Sequence, residues 1–128
     1  EEGHVVVRAL ERIVVAQIAR VEVPAALWRK QRMGELSTAA AAVLVAQFEA
    51  DWFGTVQDPR RFEIVRMTAL VVEDAAHLTG VHRLRAYDAV QLATARAVRT
   101  ADPDTTWFVA FDRTLRDAAA ADGFTTVP

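Results

Sequence analysis

The chain contains no cysteine. That removes disulfides, thiolate metal ligands and a cysteine nucleophile together, and it is compatible with a reducing cytoplasm. There is no apolar run near the roughly 20 residues that a membrane-spanning helix needs. No signal-peptide pattern opens the sequence either. A basic excess is missing too: the net charge is −2, so any contact with nucleic acid must come from local clusters. Lysine is nearly absent, Lys30 being the only one, and arginine carries almost all positive charge. Together with abundant alanine this fits a GC-rich coding sequence. No internal repeat, low-complexity tract or linker interrupts the chain. What remains is ordinary for a globular protein. The 128 residues, 52% hydrophobic and 25% charged, suit one domain with one proper core.

Periodicity orders the chain into alternating strands and helices. Val5 to Glu11 reads as the end of a short helix, with Val6, Ala9 and Leu10 on one side. RIVVAQI (12–18) is β-branched, bounded by charge, and predicts a buried strand. A helix follows over 19–34. Pro24 is acceptable only in its first turn, so the helix should start near Arg20 or Val21, with Gly34 as its stop. Ser37 is positioned to cap a helix over 35–54, whose Val43, Ala46, Gln47 and Ala50 recur at helical spacing and which Gly54 closes. FEIVRMT (62–68) predicts a strand or a strand-to-helix junction, and 69–81 a helix ending at Gly80. Leu84 to about Thr100 forms the most apolar helix. A turn at ADPDTT precedes a second buried strand, WFVAF (107–111). Asp112 then caps a helix that Gly123 stops, and Phe124 to Val127 adds a short strand. The alternation predicts an α/β domain with a mostly parallel sheet.

Three carboxylates share a pattern. Glu22 lies at a helix start a few residues after the first strand. Asp112 lies where the second strand hands over to a helix. Asp88 lies near the start of the apolar helix, with Leu84, Leu92 and Ala95 on its side at i−4, i+4 and i+7. In open α/β sheets, sites gather at the carboxyl ends of strands, so three distant acids can converge there. Clustered carboxylates repel, and a divalent cation relieves the conflict; all-oxygen ligands favour Mg²⁺ or Mn²⁺. Each acid also has a local explanation. Asp112 as a helix cap is worth about 1 kcal/mol. Glu22 and Asp88 complement helix N-termini at about 0.3–1 kcal/mol each.

LRAYDAVQLATARA followed by FVAFDRTLRDAAAADGF resembles the C-terminal half of PIN-domain proteins, and the nearest branch is the VapC-like toxins of bacterial toxin–antitoxin pairs. VAQIARVEVPAALWRKQRMGELS is similar to that family's second strand and the helix bearing its acid. The resemblance covers essentially the whole chain. It implies a PIN-like three-layer α/β fold, a mostly parallel central sheet flanked by helices, and a metal-dependent ribonuclease with four acids. Glu22 matches the helix glutamate, Asp88 the aspartate opening the later helix, and Asp112 the aspartate after the fourth strand. The family begins with a central strand ending in Asp followed by Ser or Thr. This sequence opens on EEGH, without an initiator methionine. The expectation is therefore an N-terminally incomplete PIN domain, whose upstream coding sequence adds a β-branched run ending in Asp-Ser or Asp-Thr.

The implied activity is Mg²⁺- or Mn²⁺-dependent hydrolysis of RNA phosphodiesters, with Glu22, Asp88 and Asp112 as catalytic and metal-binding residues. Arg83 and Arg85 precede Asp88, and Arg113 and Arg116 follow Asp112, so these four are the candidate RNA contacts. As solvated helix ends or surface ion pairs they would need no RNA. Arg29, Lys30 and Arg32 form a further basic cluster. His4, His77 and His82 lack ligand-like spacing and read as surface or loop residues. Trp28 and Trp52 read as packing residues rather than base-stacking ones. The resemblance further implies a VapB-like antitoxin partner, a homodimer, no membrane association and a cytoplasmic location. Leu27, Trp28, Leu44 and Phe48 are candidate interaction residues, although an ordinary core yields the same pattern. Two other classes stay open: a PIN fold that binds without cutting, and a plain α/β domain whose acids merely cap helices.

Overall fold

A computed structural model of the chain describes residues 12–127. The helix expected over Val5 to Glu11 lies outside them, as does His4. The architecture is α/β. In chain order the elements are β1 (Ile13–Ala16), α1 (Ala19–Arg32), α2 (Thr38–Phe53), β2 (Phe62–Val65), α3 (Ala69–His82), α4 (Ala86–Ala101), β3 (Trp107–Val109), α5 (Arg113–Ala121) and β4 (Thr125–Val127). β1 pairs with β2 in one two-stranded sheet and β3 with β4 in another. The second ladder is parallel, in the register Trp107 to Thr125, Phe108 to Thr126 and Val109 to Val127. The described residues form two compact units, 12–64 and 65–127.

In the first unit, α1 opens without a side-chain cap. Arg20 N–H and Val21 N–H donate to the carbonyls of Gln17 and Ile18 at 3.1 and 3.0 Å, a tight initial turn. Pro24 is the sixth helical residue, in the second turn rather than the first as its sequence position suggested. Its missing N–H leaves the Arg20 carbonyl without the usual helical donor. α2 begins as expected, the Ser37 hydroxyl accepting from Ala40 N–H at 3.0 Å. The structure shows which of its faces packs. Val43, Ala46 and Gln47 are exposed, and the side carrying Ala41, Val45, Phe48 and Trp52 turns inward. Phe48, Trp52 and Phe62 form an aromatic cluster with ring centroids 5.6–6.3 Å apart, within the favourable tilted and edge-on range. That cluster decides the rotation of α2, because aromatic area outweighs the small side chains on the other face. Arg20 ties α1 to α2, donating to Glu49 at 2.9 Å and lying over the Phe53 ring.

The second unit is built around α4. Ala89 and Leu92 are fully buried and Ala93 nearly so, packed with Val71, Ala75 and Leu78 of α3 and Leu115, Ala118 and Ala119 of α5. So many alanines let the helices approach closely, while Leu92 and Leu115 supply the bulk. Phe108 and Phe124 close the core from the strands, their centroids 5.8 Å apart. Arg96 joins three helices: it donates to Asp74 at 2.9 Å and also pairs with Asp122, the cap residue of α5. Arg99 donates to the Asp122 carboxylate at 2.7 Å and to its carbonyl at 2.8 Å, with its guanidinium 4.0 Å from the Phe124 ring. These multidentate pairs fix the end of α5 against α4.

Several boundaries differ from expectation for local reasons. Gly80 does not end α3; the helix runs to His82, and Arg83 turns the chain in a left-handed conformation. α4 starts at Ala86, after Arg85 as an extended N-cap, so Leu84 is buried in the connection rather than on the helix. The expected buried strands are only partly buried. Ala16 is the one buried residue of β1, and Trp107 and Phe111 are exposed around buried Phe108 and Ala110. Such alternation marks a strand covered on one face. Gly123 does stop α5, at φ 95°, with Phe124 N–H donating to the Ala119 carbonyl and Gly123 N–H to that of Ala120. This is the six-to-one and five-to-two pattern that needs a residue at ease with positive φ. Among the described residues no helix is long and apolar enough to cross a membrane.

Candidate active site

Each of the three expected acids sits at a helix start. Glu22 is half-buried in the first turn of α1, in the unit of residues 12–64. Among the described residues it makes no hydrogen bond or ion pair. Asp88 is half-buried in the first turn of α4, immediately before fully buried Ala89. Asp112 is exposed and caps α5, its Oδ2 accepting from Leu115 N–H at 2.9 Å. All three lie where backbone N–H groups give the helix end partial positive charge, which complements an acidic side chain. The local capping role of Asp112 is thus present in full. Among the described residues no three His, Asp or Glu side chains form a group able to hold a metal ion.

The donor chemistry suits a hard cation. The acids offer only oxygen, Glu22 brings a carboxylate that no side chain among the described residues neutralises, and Asp112 commits only Oδ2 to its cap. Half-burial raises the cost of leaving such a charge uncompensated.

The candidate RNA contacts differ in setting. Arg83, Arg85 and Arg113 are exposed and Arg116 is half-buried. Arg85 is the N-cap of α4, three residues ahead of Asp88, and Arg113 is the first residue of α5, beside Asp112. Arg83 is the one non-glycine residue with positive φ among the described residues, at 55°. That conformation costs an L-residue about 1–2 kcal/mol. Arg29, Lys30 and Arg32 occupy the last turn of α1, where cations complement the carboxyl end of the helix.

A cavity of about 330 Å³ opens beside these residues within the unit of residues 65–127, lined by Val81, His82, Arg83, Thr114, Asp117 and Ala118. Reading the sequence had singled out only Arg83 from this set. His82 ends α3 and lines the cavity, whereas its spacing had suggested a plain surface or loop residue. Thr114 and Asp117 lie three apart on α5, a spacing that puts them on one face, but nothing in the sequence pairs that face with the end of α3. Trp52 is buried in the aromatic cluster, as a packing residue should be, and Trp28 is half-buried.

No family model matches the chain. Named proteins do. It is 35% identical over 113 residues to Ribonuclease VapC45 of Mycobacterium tuberculosis strain CDC 1551 / Oshkosh, an alignment spanning 88% of this chain and 72% of that protein. The identity, length and coverage are the same for Ribonuclease VapC49 of strain ATCC 25618 / H37Rv. The chain belongs to the VapC-like PIN-domain family. An alignment of this breadth takes in both compact units, so the VapC likeness is not confined to the motifs around Asp88 and Asp112.

Proposed function

We propose that this VapC-family chain is a metal-dependent endoribonuclease toxin of the cytoplasm, held in check by a VapB-like antitoxin and acting as a homodimer. The carrying observation is its 35% identity, over 88% of its length, to two proteins named as ribonucleases. In this reading residues 12–127 belong to one PIN-like three-layer domain.

Glu22, Asp88 and Asp112 would hold Mg²⁺ or Mn²⁺. When bound, the ion acidifies water and stabilises negative charge developing on phosphate. The residues of the chain do the rest. One of the three carboxylates accepts the proton of the attacking water. Arg85, Arg113 and Arg116 hold the RNA backbone by charge, independent of sequence, and Arg83 contacts the RNA beside them. Hydrolysis by direct attack of water needs no covalent enzyme intermediate, which agrees with the absence of cysteine.

Cleavage of RNA by the purified chain tests this reading. We expect cutting in Mg²⁺ or Mn²⁺, none in chelator, and none by Asp88→Asn, with cutting suppressed by the cognate antitoxin. Capture of that antitoxin without cleavage under any metal condition would instead identify a PIN-fold binding module.

A further inference from the structure

The cavity between the end of α3 and the face of α5 combines groups that phosphate contacts do not require. Arg83 supplies a guanidinium, Asp117 a carboxylate, Thr114 a hydroxyl and His82 an imidazole, beside exposed Val81 and buried Ala118. Among the described residues none of the four polar side chains makes a hydrogen bond or ion pair. Arg83 and Asp117 thus line one cavity without neutralising each other. The backbone holds Arg83 there in a left-handed conformation, although the preceding Gly80 could have taken such a turn without strain. Strain of this kind, kept at the rim of a cavity, is a recurrent mark of a binding site.

A phosphate would meet Asp117 as a repulsive charge. A nucleobase would not, because its edge carries donors and acceptors together. We infer that this cavity is a guanine-reading subsite, in which Asp117 accepts from the N1–H and N2–H of the base and Arg83 donates to O6 and N7. Guanine is the base whose two adjacent donors match a carboxylate and whose two adjacent acceptors match a guanidinium. Thr114 and His82 complete the polar rim, and Val81 and Ala118 meet the ring face. A volume of about 330 Å³ accommodates a base with its ribose, and single-stranded RNA presents such bases unstacked. The inference rests on the ribonuclease reading for its biological meaning, but the recognition itself needs neither metal nor cleavage.

The test titrates the neutral nucleosides guanosine, inosine and adenosine into the full chain, followed by amide shifts at 81–83 and 114–118. Guanosine should perturb these amides at concentrations at least about 10-fold lower than inosine, which lacks the N2 amine, and adenosine should bind more weakly still. Asp117→Asn should abolish the preference for guanosine over inosine, and Arg83→Gly, which suits the positive φ, should weaken both. Unchanged selectivity in Asp117→Asn, or tighter binding of inorganic phosphate by that variant with no response to guanosine, overturns the inference. RNA cleavage separates the two proposals. Cutting with no guanine preference, equal in Asp117→Asn, refutes the subsite and leaves the nuclease standing. Guanosine binding by a chain that cuts nothing refutes the nuclease and keeps the subsite.

Discussion

Asp112 is asked to do two things, and its two oxygens allow them to be separated. Oδ2 caps α5 through Leu115 N–H at 2.9 Å, and among the described residues the second oxygen has no partner. A lost cap costs about 1 kcal/mol. With an unfolding entropy of about 2.1 cal/mol/K per residue, a chain of this length should lose about 4 °C of melting temperature in Asp112→Ala. Asparagine caps as well as aspartate, forgoing only the charge–dipole contribution, about 0.3 kcal/mol at an exposed position and about 1 °C. Metal binding and proton transfer do need the charge, so Asp112→Asn should lower RNA cleavage by roughly 10²–10⁴-fold. The assays are thermal melting by circular dichroism and cleavage of a labelled RNA, run on both variants. A nearly intact melting temperature beside a large loss of cleavage in Asp112→Asn is the expected result. Cleavage by Asp112→Asn within about threefold of the parent refutes a catalytic Asp112. An Asp112→Ala chain as stable as the parent refutes the cap.

Two predictions concern the scaffold. Gly54 sits at φ 78°, and a Cβ there would lie 2.9 Å from the Arg60 backbone nitrogen, so Gly54→Ala combines strain with a backbone clash and should destabilise by more than about 1 kcal/mol in a denaturant titration. Leu92 is fully buried between α3, α4 and α5, and Leu92→Ala should cost about 2–5 kcal/mol, read as a lower denaturation midpoint at unchanged slope.

The elements with strong local punctuation were legible in the sequence. Ser37 and Asp112 cap the helices they should, because their side chains reach only their own helix start. Gly34, Gly54 and Gly123 end helices at positive φ. Gly80 looks the same in one dimension but lies mid-turn in α3, because packing of Leu78 and Leu84 in the core carries the helix on to His82. The sequence left the packed face of α2 open, because Val43, Ala46 and Gln47 repeat at helical spacing as well as Phe48 and Trp52 do. Only the partner ring of Phe62 shows which set is covered. The same limit applies to function. Glu22, Asp88 and Asp112 at helix starts could be named from strand–helix boundaries. The cavity could not, since it brings His82 and Arg83 against Thr114 and Asp117 across some thirty residues of chain.

The central claim is that Glu22, Asp88 and Asp112 together hold a dication. Titration of Mn²⁺ into the chain, followed by the loss of the free-ion paramagnetic resonance signal, tests it most directly. The account predicts saturable uptake with a midpoint near or below millimolar, weakened at least about 10-fold by Glu22→Gln, Asp88→Asn or Asp112→Asn in turn. No saturable uptake, or uptake indifferent to all three substitutions, contradicts it.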